Sequence, residues 1–310
     1  MPRLLVAAAL SLTLVGCSST TTSTLTPLPL TELVPQSGVD LVAARQALID
    51  FLNGYANASK DDGKSLEHLL GSGPPELKDW VHWLVVQNRS NPGVLTGSTH
   101  ISGIQFQGFA TVLGQIPGAK LRLDAQVTLT YRPPNAAPVT FTHDFTGDAT
   151  VFQLGTGDWR VYDVTRDGQS MDSAIHLVNK VSLSSHGVTV DVRSLWTLAP
   201  YLSFNVTVAN HSASDITFDE GTTALIGATA ADSMASKSHT AGLDRIPPGG
   251  TGAGTINFGA PSPTTQDLVM AFSSAGGADV RLPVSLTRLA NAIVPTLPPT
   301  GASPTPSAGA

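Results

Sequence analysis

The chain has 310 residues, with 17 Lys and Arg against 23 Asp and Glu and a formal net charge of −6, which excludes a nucleic-acid binder that relies on a Lys/Arg excess on one face. Charged residues make up only 13% and hydrophobic ones 41%, so this is not a highly charged disordered chain, and it can build cores. The one cysteine, Cys17, excludes an intrachain disulfide and a cysteine-based zinc or iron–sulfur site; at roughly 100–200 residues per domain, the length predicts about two domains.

Residues 1–16 read as a signal peptide. Arg3 supplies a short positive region, and Leu4 to Val15 is an apolar run shorter than the ~20 residues that span a bilayer. The run ends in Leu14-Val15-Gly16-Cys17 and turns polar at Ser18-Ser19-Thr20-Thr21-Thr22. Leu14-Val15-Gly16-Cys17 resembles the lipobox of bacterial lipoproteins. That resemblance implies a thioether-linked lipid on the Cys17 sulfur, cleavage before Cys17 and acylation of the new amino terminus. The membrane is then a partner through the lipid on Cys17, and the chain sits on the outer face of the cell membrane. The competing readings are an ordinary secretory signal with an incidental cysteine, or an uncleaved anchor. Acyl chains anchor stably because each buried CH₂ adds ~0.8 kcal/mol. Loss of residues 1–16 leaves 16 basic and 23 acidic residues, net −7, with no polybasic patch to assist. Arg (11) exceeds Lys (6), and Ala, Gly and Thr are abundant, the composition of a GC-rich, actinobacterial genome.

Residues 17–38 are Ser/Thr/Pro-rich with almost no charge, which predicts an extended, flexible tether. From Asp40, a plausible N-cap, the pattern turns helical: Leu41, Ala44, Leu48, Phe51, Leu52 and Tyr55 recur at i, i+3, i+4 spacings. Ser65 to Leu70 predicts a short helix. Pro74-Pro75 opens another, with Leu77, Trp80, Val81 and Leu84 as its apolar stripe. After Asn91-Pro92-Gly93 the period becomes two. The predicted strands are 101–113, with a parity flip at Gly108 that predicts a bulge, then 120–132, 139–152 and 158–165. In the second, Leu121, Leu123, Ala125, Val127, Leu129 and Tyr131 share one face, so one face is buried and the other wet.

Helices first, then a four-strand antiparallel meander ending in Gly157-Asp158-Trp159-Arg160-Val161-Tyr162-Asp163-Val164, resemble the nuclear transport factor 2-like (cystatin-like) cone. The resemblance implies an α+β domain over residues 39–175, in which a curved antiparallel sheet wraps a long helix and leaves a cavity. The family includes isomerases, dehydratases and domains with no chemistry, so the fold does not choose among them.

A second alternating section runs over 182–292. Val188/Val190/Val192, Leu202/Phe204/Val206/Val208, Ile256/Phe258, Leu268/Met270/Phe272 and Val280/Leu282/Val284/Leu286 are separated by turn clusters, which predicts an all-β sandwich of short strands. Val206-Thr207-Val208-Ala209-Asn210-His211-Ser212, with Ile246-Pro247-Pro248-Gly249-Gly250-Thr251 before Gly254-Thr255-Ile256-Asn257-Phe258, resembles the immunoglobulin-like domain found on bacterial lipoproteins. The segment 170–184 is expected to join two separately folding units. Residues 293–310, with five prolines at 295, 298, 299, 304 and 306, predict a tail too Pro/Thr/Ser-rich to form a core.

Chemistry is sparse. There is no Gly-x-Ser-x-Gly elbow, no phosphate loop and no His-Glu-x-x-His, and the eight histidines are scattered, so neither metal nor cofactor is expected. Four Asn-x-Ser/Thr sequons, at Asn57, Asn88, Asn205 and Asn210, carry little weight in a bacterial chain. One constellation stands out. Strand parity places His143 with Val139, Phe141 and Phe145, and Asp163 with Trp159 and Val161. A His and a carboxylate facing a cavity form an acid–base pair if they meet; a satisfied structural hydrogen bond is the commoner meaning of such residues. Trp80, Trp83 and Trp159 are further candidates to line that cavity. The functional expectation is a non-enzymatic, lipid-anchored binding or scaffolding protein that meets an envelope protein or the cell wall. The alternative is an enzyme or small-ligand carrier that uses the cavity.

Overall fold

The computed structural model describes residues 40–60, 62–70, 73–91, 93–112, 116–155, 157–198, 201–262, 264–274 and 279–294. The chain opens with helix α1 (Leu41–Asn57), which starts where Asp40 accepts the N–H groups of Val42 and Ala43 on Oδ1, both at 3.0 Å. This satisfies two of the four orphan donors of the first turn. Its buried stripe is Ala44, Ala47, Leu48, Phe51, Leu52 and Tyr55. Helices α2 (Lys64–Leu70) and α3 (Pro75–Ser90) follow, the latter begun by a proline at its first position.

The first sheet is built on two long strands, β1 (Val94–Val112) and β2 (Ile116–Arg132), paired antiparallel along their whole length. The ladder shifts register twice, between Ile101 and Gly103 and between Phe106 and Gly108, so the parity flip at Gly108 is one of two irregularities. Along the far side of β2 lie β4 (Gly147–Gln153), against 118–123, and β3 (Val139–Asp144), against 126–131. The sheet continues through β5 (Trp159–Arg166) to β6 (Gln169–Ser170). The single strand expected over 139–152 is thus broken at Phe145-Thr146 into two. Asp167 and Gly168 form the two-residue turn from β5 to β6. Their φ values of 51° and 81° are the positive pair that a type I′ hairpin demands and that Asp-Gly supplies.

After a single helical turn, α4 (Met171–Ala174), the chain enters β7 (Ile175–Ser185), β8 (Val188–Trp196) and β9 (Leu202–Asn210). These join β13 (Ser238–His239) and β14 (Thr251–Phe258) in a five-stranded sheet ordered β13-β14-β9-β8-β7. A third sheet holds β10 (Ile216–Phe218), β11 (Ala224–Ile226), β12 (Met234–Ala235), β15 (Asp267–Ser274) and β16 (Val280–Ser285), and α5 (Leu286–Asn291) ends the described chain. One core lies between α1–α3 and the first sheet, and it also takes in Ile175, Trp196 and Leu198. A second lies between the other two sheets, where Val190, Phe204, Val206 and Phe258 meet Leu268, Met270, Phe272 and Leu282. Full burial of each such side chain contributes about 1.5–3 kcal/mol.

The expected α+β cone is corrected. Among the described residues the chain is mostly strand, 51% against 23% helix, in three antiparallel sheets with five helices, and no helix-packed cone is evident. The reason is length. β1 and β2 run for 19 and 17 residues, and the helices supply only short apolar stripes against them. The all-β expectation for the later part agrees with the two packed sheets. The expected boundaries at 175 and 182 both fall in β7, and Ile293 and Val294 pair with it as well, through a bridge to Val178 and a bond to the Leu177 carbonyl.

Candidate functional site

Helix α3 meets the β13-β14-β9-β8-β7 sheet through hydrogen bonds that all run the same way. Gln87 Nε2 donates to Thr255 Oγ1 at 2.9 Å, whose hydroxyl donates to Asn205 Oδ1 at 2.6 Å; Asn205 Nδ2 donates to Ser194 Oγ at 2.9 Å. Ser194 also lowers the Asp79 carboxyl, so the buried relay that leaves α3 at Gln87 ends beside it two turns earlier. Asp79 also accepts the indole N–H of Trp83 and of Trp196, each at 3.1 Å. Burial pushes the Asp79 carboxyl above its ordinary range, against the lowering effect of its three donors. Asn205 and Thr255 are fully buried, and such groups are tolerated because each is satisfied. Two of the chain's four sequon asparagines, Asn205 and Asn210, have no exposure.

Beside this relay lies a cavity of about 680 Å³. The first core supplies Tyr55, Trp80 and Leu84, with Tyr131, Phe141 and His143 from β2 and β3; the opposite wall carries Trp196, Tyr201, Ser203, His239 and Asn257. Among the described residues that line it there is no carboxylate. Two side chains of the wall keep a buried polar atom without a hydrogen-bond partner, Asn88 Nδ2 and His239 Nδ1. A group left so costs about 1–3 kcal/mol.

His143 lines the cavity, as does Trp80, whose ring lies 5.0 Å from that of Tyr55. The expected partner of His143, Asp163, is not its partner. His143 Nδ1 lies 3.0 Å from Asp167 Oδ2, and Arg166 Nη2 lies 3.0 and 3.2 Å from its two ring nitrogens. Arg166 Nε donates to Asp167 at 3.2 Å, and its guanidinium carbon sits 5.9 Å from the centre of the Tyr55 ring. Burial pushes the Asp167 carboxyl up, but the bonds from His143 and the Asp144 N–H, with Arg166 beside them, hold it below the ordinary value. A register shift between Thr150 and Val151 moves Asp163 away. It places Val161 and Val164, three apart, in the same core, and so takes Asp163 off the face of Trp159 and Val161. Asp163 instead accepts the Ser170 hydroxyl at 2.7 Å and the Asp172 N–H at 2.9 Å, capping α4.

Burial pushes Asp163 up. Asp172 is pushed up to about 6, by burial first and then by the negative charges of Asp163 and Glu76. Trp83 and Trp159 belong to the first core and do not line the cavity. Cys17, the signal peptide, the tether and residues 295–310 lie outside the described residues. Among the described residues no group of three His, Cys, Asp or Glu is placed to hold a metal ion, and no helix is long and apolar enough to cross a membrane.

The residues that reasoning along the chain missed are Tyr131, Phe141 and Tyr201 at the cavity, Arg166 and Asp167 beside His143, and Asp79 in the relay. The Asp167-Gly168 dipeptide is a hairpin signal readable in the chain, and it fixes the carboxylate that His143 uses. Nothing local marks Asp79. Comparison with protein-family models, with curated proteins and with solved structures finds no match for the chain.

Proposed function

We propose that this chain is a binding protein of the outer face of the cell membrane, anchored by lipid on Cys17, whose cavity beside α3 receives a small organic ligand. The observation that carries the reading is the cavity itself: about 680 Å³, walled by aromatic rings and neutral polar groups, with two wall atoms still lacking a partner. Pockets of about 300–1,000 Å³ with apolar walls and a few convergent polar groups are the usual form of a ligand site. The anchor rests on Leu14-Val15-Gly16-Cys17. Binding is favoured over acid–base chemistry because both ring nitrogens of His143 already have partners within the protein. An envelope partner remains compatible with it, since a carrier delivers or presents what it holds.

The test is native mass spectrometry of the full-length protein released from its own membrane in mild detergent. A bound small molecule is expected, and Ser238→Trp, which sets an indole at an exposed position of the cavity wall, is expected to abolish it while the melting temperature holds. Recovery of the parent with an empty cavity, under conditions that keep other bound small molecules on control proteins, refutes the reading.

A further inference from the structure

Resting on that ligand-binding reading, we propose that the ligand is a short chain of sugar units. The walls demand two chemistries at once. The six rings of Tyr55, Trp80, Tyr131, Phe141, Trp196 and Tyr201 offer flat apolar faces, which favour stacking against a flat, partly apolar partner. Between them stand neutral hydrogen-bonding side chains, Gln87, Asn88, Asn91, Ser203, Thr240 and Asn257, which both donate and accept. A purely aliphatic ligand covers the rings but leaves Asn88 Nδ2 and His239 Nδ1 buried and unpaired, at about 1–3 kcal/mol each.

Charge narrows the class further. Arg166 pairs with Asp167 at 3.2 Å, whereas Lys60 Nζ donates to the uncharged Asn57 Oδ1 at 2.7 Å and keeps its charge. Among the described residues the wall holds no carboxylate, so a cationic ligand finds no counter-charge there. The two unpartnered wall atoms then ask for opposite partners. Asn88 Nδ2 is a donor and needs an acceptor. His239 Nε2 lies 2.8 Å from Asp244 Oδ1; with the ring's one proton on Nε2 toward that carboxylate, Nδ1 is an acceptor that needs a donor. A hydroxyl is both donor and acceptor. A sugar carries several, beside a C–H face that lies flat on an aromatic ring, and it meets both demands with one kind of group. Phe141 and Tyr201, 49% and 46% exposed on the wall, extend the aromatic surface outward, as a chain needs and a single ring does not.

The experiment is titration calorimetry of the full-length protein in detergent with maltotriose, cellotriose and chitotriose. Binding by at least one is expected. Tyr201→Ala and Asn88→Ala are expected to weaken it about tenfold each, the equivalent of 1.4 kcal/mol; Tyr201 is too exposed to threaten folding, and the melting temperature checks both variants. Failure of all three sugars at millimolar concentration overturns the proposal, as does sugar binding that survives Ser238→Trp. A fluorescent long-chain fatty acid is titrated in parallel. If it binds and Ser238→Trp blocks it while the sugars fail, the sugar assignment falls and the cavity reading stands. If neither probe class binds and no ligand is carried from the membrane, both fall.

Discussion

Removing the Asp79 carboxylate is expected to loosen the seam between α3 and the second sheet. Asp79→Ala leaves two donors facing a void, the Trp83 and Trp196 indole N–H groups, each bonded at 3.1 Å, beside the Ser194 hydroxyl that ends the relay. Each buried, unsatisfied group costs about 1–3 kcal/mol. Two effects reduce the sum. The serine hydroxyl can turn, and the variant no longer buries a charge, a burden visible in the raised carboxyl. The expected net loss is about 2–4 kcal/mol, the range for breaking a buried polar network. For a fold of this size that lowers the melting temperature by roughly 5–15 °C. The assay is urea unfolding of the full-length protein in detergent, followed by far-ultraviolet circular dichroism, since tryptophan fluorescence would report the local change directly. A Gln87→Ala variant and the double variant complete a cycle. Because the two residues end one relay, their losses are expected not to add, with a coupling of about 0.5 kcal/mol or more. A loss below about 0.5 kcal/mol for Asp79→Ala, within the range of ordinary surface changes, refutes the claim that this relay joins the two parts.

Other expectations follow from single sites. At Gly97 a methyl group would run into the Ala56 carbonyl where β1 crosses α1, so Gly97→Ala should destabilise by roughly 1–3 kcal/mol; an unchanged urea midpoint sinks the close-approach argument. Asp172 has a folded pKa of about 6, raised by burial, Asp163 and Glu76, so its contribution is fully present below the unfolded value near 4 and is lost as pH rises through about 6. Asp172→Asn should therefore be more stable than the parent by about 1–2 kcal/mol at neutral pH, after discounting for partial exposure, with the difference gone near pH 4; parallel stability–pH curves would contradict it. Cys17→Ser should move the protein from the membrane to the soluble fraction, and full retention in detergent partitioning would show that the lipobox reading is wrong.

What could be read along the chain was local. Asp40 and the stripe from Ala44 to Tyr55 lie within one helix, and both signals survive in α1. The alternation of β2 buries Leu121, Leu123, Ala125, Val127 and Leu129, as parity requires. Parity failed where a single extra residue entered the ladder. The shift at Thr150/Val151 is invisible in the alternation of Trp159, Val161 and Asp163, yet it decides that His143 meets Asp167 instead. The proportion of helix to strand was misjudged because a helical stripe is conspicuous, whereas a strand of 19 residues with two irregularities reads as several shorter ones. The seam was out of reach altogether. Gln87 and Thr255 are 168 residues apart, and Asp79 and Trp196 are 117 apart; polar side chains paired across such distances have no periodicity to betray them.

The relay and the cavity share a cause in α3. Leu77, Trp80, Val81 and Leu84 face the first core, the ordinary use of an apolar stripe. Asp79, Trp83 and Gln87, at i, i+4 and i+8, form the ridge that carries the bonds toward β8 and β14. A ridge with polar ends cannot be closed by interdigitating methyl groups. It is closed at points, by hydrogen bonds, and space remains on its flank. That flank is again helical in spacing: Trp80, Leu84, Gln87, Asn88 and Asn91 line the cavity. Gln87 belongs to both, so the residue that opens the relay also faces the cavity. On the ligand-binding reading proposed above, a molecule that touches both Trp80 and Trp196 and binds only when the two parts are joined stabilises their joining by RT ln(1 + [L]/Kd), so saturating ligand is expected to raise the urea midpoint of the parent.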